Sequence, residues 1–84
     1  MKSKLLVKNI SSNTEPFDLN KLFSDFGEVI SIDIPKNKSS GRNNGYALVE
    51  MKDQQSAENI IQHLNGTIFK DFKLKISLEK TNFW

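Results

Sequence analysis

The stretch Asn43-Asn44-Gly45-Tyr46-Ala47-Leu48-Val49-Glu50-Met51 decides the fold of this chain. It reads as a strand opened by a glycine, with Ala47, Val49 and Met51 on one face and Tyr46, Leu48 and Glu50 on the other. The first face suits a core. The second puts an aromatic ring and an aliphatic side chain where folded proteins usually place polar groups. Nearer the start, Leu5-Leu6-Val7-Lys8-Asn9-Ile10 reads as a second strand with the same habit.

Working outward from the decisive strand, Lys36 to Asn44 is polar, basic and glycine-containing, hence a loop. Before it, Val29 to Pro35 alternates Ile32 and Ile34 with Ser31 and Asp33, a half-buried strand closed by proline. Leu19, Leu22, Phe23 and Phe26 form one apolar stripe of a helix. The turn Ser11 to Thr14 is expected to cap that helix, Glu15 and Pro16 to fill its first turn, and Gly27 to end it. Downstream, Asp53 can cap a helix whose Ala57, Ile60, Ile61 and Leu64 repeat the stripe until Asn65-Gly66. His63 lies off that stripe and is expected in solvent. Thr67 to Phe72 reads as short and irregular, Lys73 to Leu78 as a strictly alternating strand, and Glu79 to Trp84 as a tail.

The order is β-α-β-β-α-β. Each strand has one apolar face and each helix one apolar stripe, so both helices should cover the same face of a four-stranded antiparallel sheet. That is an α+β, ferredoxin-like split βαβ architecture whose opposite face stays open.

Composition narrows the function. Eighty-four residues make one domain, with 37% hydrophobic and 26% charged residues, as in ordinary globular proteins. No apolar run is long enough to span a membrane, and Leu5-Leu6-Val7 is too short for a signal-peptide core. There is no cysteine and one histidine, so no zinc cluster, thiol nucleophile or histidine triad can form within one chain. A net charge of +2 permits a nucleic-acid partner without demanding it.

The two open-faced strands resemble the two signature strands, RNP1 and RNP2, of the RNA recognition motif (RRM). The likeness extends to Leu22-Phe23-Ser24-Asp25-Phe26-Gly27-Glu28-Val29, similar to the family's LF-x-x-FG-x-I segment, and to Leu64-Asn65-Gly66 after the second helix. It covers essentially the whole chain, with a single domain over residues 1–80 and a short tail over 81–84. The resemblance implies that the RNP strands lie side by side at the centre of the sheet. Leu6, Lys8, Tyr46 and Leu48 would then cluster there, with Lys75 and Ser77 on one side and Asp33 on the other.

On such a surface unpaired bases stack on aromatic rings while lysines and arginines track phosphates. Tyr46 stands where the family carries a base-facing ring. Lys4, Lys8, Arg42, Lys73, Lys75 and Lys80 could form a positive rim, each alone being ordinary solvated charge. The chain also departs from the pattern: Leu6 and Leu48 replace aromatics, and Asn44 replaces the basic residue that opens RNP1. Asp33 and Glu50, on the same face, would repel phosphate. Two missing rings cost up to about 2–6 kcal/mol, or one to four orders of magnitude in affinity, less what the leucines recover. Binding by this face alone should be weak, salt-sensitive and modestly selective.

Phe83 and Trp84 follow Leu78 within roughly 20 Å of extended chain. That tail could supply rings to a base, cover the leucines, or stay free. The loop Lys36 to Arg42 could clamp a backbone or simply be solvated.

The expected function is thus an RNA-binding module for single-stranded RNA, using Leu6, Lys8, Arg42, Asn44, Tyr46, Leu48, Lys75, Ser77, Lys80, Phe83 and Trp84. The alternative is a protein-binding RRM whose Leu6, Tyr46 and Leu48 patch meets a partner protein or a second copy. Within the RRM group some members grip a ligand tryptophan through an Arg-x-Phe loop; Thr67-Ile68-Phe69 has the phenylalanine without the arginine. Catalysis is not expected, since the chain lacks a glycine-rich phosphate loop and its one arginine, Arg42, is not placed beside a strand end as in the small acyl-phosphate hydrolases of this fold. No cofactor, no metal and no membrane are expected, and the protein should be a monomer. A small stand-alone cytoplasmic protein, of the kind bacteria possess, or an excised nuclear domain would both fit.

Overall fold

The computed structural model describes residues 2–79. Strands β1 (Ser3–Lys8), β2 (Val29–Asp33), β3 (Tyr46–Met51) and β6 (Lys75–Leu78) form an antiparallel sheet in the order β2-β3-β1-β6. Helices α1 (Pro16–Phe23) and α2 (Gln54–Leu64) cover one face. A separate two-stranded ribbon, β4 (Ile68–Phe69) with β5 (Phe72–Lys73), follows α2. The split βαβ arrangement read from the periodicity is the arrangement observed.

The core lies where the patterns placed it. Leu5, Val7, Ala47, Val49, Met51 and Ile76 from the sheet meet Leu19 and Phe23 of α1 and Ala57 and Ile60 of α2, all buried. Each large aliphatic or aromatic side chain buried there contributes about 1.5–3 kcal/mol relative to exposure. That face of the sheet is fully used; the other carries only half-buried and exposed side chains.

Four local details differ from the sequence expectations. The N-cap of α1 is Glu15, not Thr14: Pro16 forces the residue before it into extended backbone (ψ 161), and the Glu15 N–H is taken by the Asp18 carboxylate at 2.8 Å. Thr14 is instead buried, its hydroxyl bonded to that of Ser11. Helix α1 stops at Phe23 with Ser24 as its C-cap, and Phe26 reaches the core margin from the following turn. Gly27 is therefore not a cap; a β-carbon there would overlap the Ser56 side chain, so the glycine lets the α1–β2 connection lie against α2. Finally, Thr67 to Phe72 is not irregular but holds a hairpin whose two turn residues, Lys70 and Asp71, both have positive φ (52° and 70°), the pattern of a type I′ turn. Lysine is a poor marker for such a turn, which hid it.

The second helix behaves as read. Asp53 caps it by accepting from the Ser56 N–H at 2.8 Å, and Asn65-Gly66 ends it, Gly66 at φ 87°. His63 is exposed, its ring tilted against Phe26 with centroids 5.5 Å apart. None of the described helices is long and apolar enough to cross a membrane.

Candidate nucleic-acid interface

Strand register converts the open face into three rows. Side chains directly opposite in neighbouring strands share a face with β-carbons about 4.5–5.5 Å apart. The first row is Tyr46, Lys8 and Lys75: Lys8 opposes Tyr46 across β1–β3 and Lys75 across β1–β6. The middle row runs Asp33, Leu48, Leu6, Ser77. The third runs Ser31, Glu50, Lys4, and continues to Glu79, whose N–H donates to the Lys4 carbonyl at 2.8 Å.

These rows make the face electrically polar along the strands. At one end a ring is followed by two ammonium groups with no opposing carboxylate in the row. At the other end Lys4 is flanked by Glu50 and Glu79, and Glu50 also accepts a long 3.4 Å hydrogen bond from Ser31. An anionic strand is therefore favoured at the Lys8–Lys75 end and not at the Glu50–Lys4 end. Between them Leu6 and Leu48, both half-buried, form a small apolar floor.

Of the residues singled out from sequence, Leu6, Lys8, Tyr46, Leu48, Lys75 and Ser77 are brought together on this face. Asn44 lies just before it, exposed, its N–H donating to Pro35 at 3.0 Å. Arg42 is placed differently. Its guanidinium points to the β1–α1 loop, 3.5 Å from the Ser12 hydroxyl, in a hollow shared with Asn13, Lys70 and Phe72 at the end of the sheet. Lys73 stands in β5, off the sheet. Lys80, Phe83 and Trp84, and with them the question of a covering tail, lie outside the described residues.

Sequence reasoning missed the residue that holds the loop end together. Asn43 is buried; its amide nitrogen donates to Ser11 (2.8 Å) and Thr14 (3.3 Å), and its carbonyl accepts from Gly45 N–H at 2.8 Å. It thus fixes the start of β3, and so Tyr46, against the β1–α1 loop. Nothing in the run Arg42-Asn43-Asn44 distinguishes it from its exposed neighbours. The loop before it is ordered by Asn37, whose side chain accepts from Ser39 and Ser40 N–H and whose carbonyl accepts from Gly41 N–H. Behind the platform, Asp18 joins α1 to the β4–β5 turn through Lys70 at 2.8 Å; that bond and the Glu15 N–H hold its carboxyl below the usual aspartate range. Asp53 is likewise lowered, by the Ser56 N–H.

Comparison with known proteins places this geometry. The family model described as the RNA recognition motif matches residues 5–75. The zinc finger CCHC-type and RNA-binding motif-containing protein 1 of Xenopus laevis is 32% identical over 81 residues, 96% of this chain but 37% of that protein. The RbpE protein of Nostoc sp. is 32% identical over 73 residues, 87% of this chain and 74% of its own length. Among solved structures, the Sxl-lethal protein in complex with RNA superposes with a TM-score of 0.85 at 26% identity, covering 90% of this chain and 47% of that one. The chain thus spans well under half of the first curated relative it matches, and most of a small bacterial one.

Proposed function

The chain belongs to the RNA recognition motif family, and from that premise we propose that it binds single-stranded RNA across the open face of its sheet. The observation that carries this reading is the row Tyr46–Lys8–Lys75: one stacking ring with two ammonium groups beside it, at the basic end of a sheet face that no other described element covers. A base stacks on Tyr46 and its phosphates lie toward Lys8 and Lys75. A neighbouring base rests on Leu48 and Leu6. A relative with the same fold is solved in complex with RNA, which supports RNA as the ligand.

Among the described residues, one ring and a two-residue aliphatic floor make a small platform. Each stacked base contributes about 1–3 kcal/mol, so binding is weak and depends on salt. The test is a titration of isotope-labelled protein with a randomised pool of short single-stranded RNA, following backbone amide shifts at two salt concentrations. Shifts concentrated in residues 5–9, 45–51 and 75–77 that diminish with salt are expected. Absence of shifts at the highest concentration would overturn the reading and turn attention to a protein partner for the same patch.

A further inference from the structure

Resting on the RNA-binding reading, we propose that Asp33 selects guanine at the base position over Leu48 and Leu6. The aliphatic pair makes no hydrogen bonds and cannot tell one base from another, so discrimination must come from the ends of its row. One end is Asp33, directly opposite Leu48 on the edge strand β2; the other is Ser77, directly opposite Leu6. A base lying flat on the leucines has one edge toward the Asp33 carboxylate.

An ionised carboxylate only accepts hydrogen bonds. Guanine offers it two adjacent donors, the ring N1–H and the exocyclic amine, which match its two oxygens. Adenine and cytosine present one amine beside a ring nitrogen lone pair, and uracil presents one N–H between two carbonyls. Only guanine fills both oxygens without facing them with a lone pair. Asp33 is also unspent: it is exposed, and among the described residues its side chain makes no hydrogen bond or ion pair. Glu50, the carboxylate one row further along the same face on β3, is by contrast engaged by Ser31 and set opposite Lys4. The same charge that works against phosphate is suited to a base edge.

The test uses the full chain and three five-nucleotide RNAs: UUGUU, UUUUU, and UUGUU with inosine replacing guanine, which removes the exocyclic amine alone. Wild type should bind UUGUU about tenfold more tightly than UUUUU, and inosine should lose most of that gain. Asp33→Ala should bring the three RNAs to similar affinity, so the cost of the missing amine disappears in the variant, a coupling that a merely structural role would not produce. Asp33→Asn, with the same shape but an amide donor, should also lose the guanine preference. Equal binding of all three RNAs by wild type would overturn the role of Asp33 while leaving RNA binding intact. So would an Asp33→Ala variant that strengthens all three in parallel, which is simple relief of repulsion. Failure of wild type to bind any of them would overturn the RNA reading and this proposal together.

Discussion

Lys8 stands directly opposite Tyr46 in the β1–β3 ladder and directly opposite Lys75 in the β1–β6 ladder, so the single tyrosine of the chain begins a row that ends in two ammonium groups. The family's pattern would add rings at Leu6 and Leu48. Here those positions form a floor, and among the described residues Tyr46 is the ring on this face. The basic end of the face and its one described ring therefore coincide.

Tyr46→Ala should weaken RNA binding by about 1–3 kcal/mol, roughly 5–150-fold. Tyr46 is half-buried on the open face rather than in the core, so the melting transition should move little. Fluorescence anisotropy with a labelled RNA, beside a thermal melt, reads both. An unchanged affinity would remove Tyr46 from the site.

Lys8→Ala and Lys75→Ala should each flatten the dependence of log affinity on log salt by about 0.7, the loss of one phosphate contact on a single strand. Lys4→Ala should leave the slope nearly unchanged, because Lys4 lies between Glu50 and Glu79. Equal slope losses at all three lysines would contradict the polarity of the face.

Gly27→Ala should destabilise the fold by about 1–3 kcal/mol in urea unfolding, with no change in RNA affinity once folded protein is compared. The added methyl meets both the hydroxyl and the β-carbon of Ser56. Ser56→Ala should therefore fail to restore stability, since the β-carbon remains. Full rescue by Ser56→Ala would place the clash at the hydroxyl alone, and an undisturbed Gly27→Ala variant would contradict the close approach to Ser56.

Acid should loosen the domain through Asp18. Its carboxyl is held below the ordinary aspartate range by the Lys70 ammonium and the Glu15 N–H. The unfolded chain thus binds this proton more tightly than the native one. The stabilisation is complete above the unfolded value, about 3.9, and is lost as pH falls through the lower native value. Asp18→Asn should cost about 1 kcal/mol or less at neutral pH and make stability less steep in pH below about 4. Urea midpoints measured from pH 2 to 7 would show it; parallel curves for the two proteins would assign the acid sensitivity elsewhere.

Much of this protein was legible in its sequence, because period-two and period-3.6 patterns are local properties. The alternation of Tyr46, Leu48 and Glu50 with Ala47, Val49 and Met51 determined which side chains face water, whatever the neighbouring strands. The stripes at Leu19–Phe23 and Ala57–Ile60 likewise determined which side of the sheet the helices cover. The tertiary structure decided what stands beside what. Asp33 comes opposite Leu48 because the β2–β3 register shifts between Val29 and Ser31, adding Ile30 to one strand. Arg42 turns to Ser12 instead of the platform, Asn43 goes inside while Asn44 stays out, and Gly27 serves a close approach to Ser56. Each of these depends on a partner distant in the chain, and a local pattern carries no record of a contact that only folding creates.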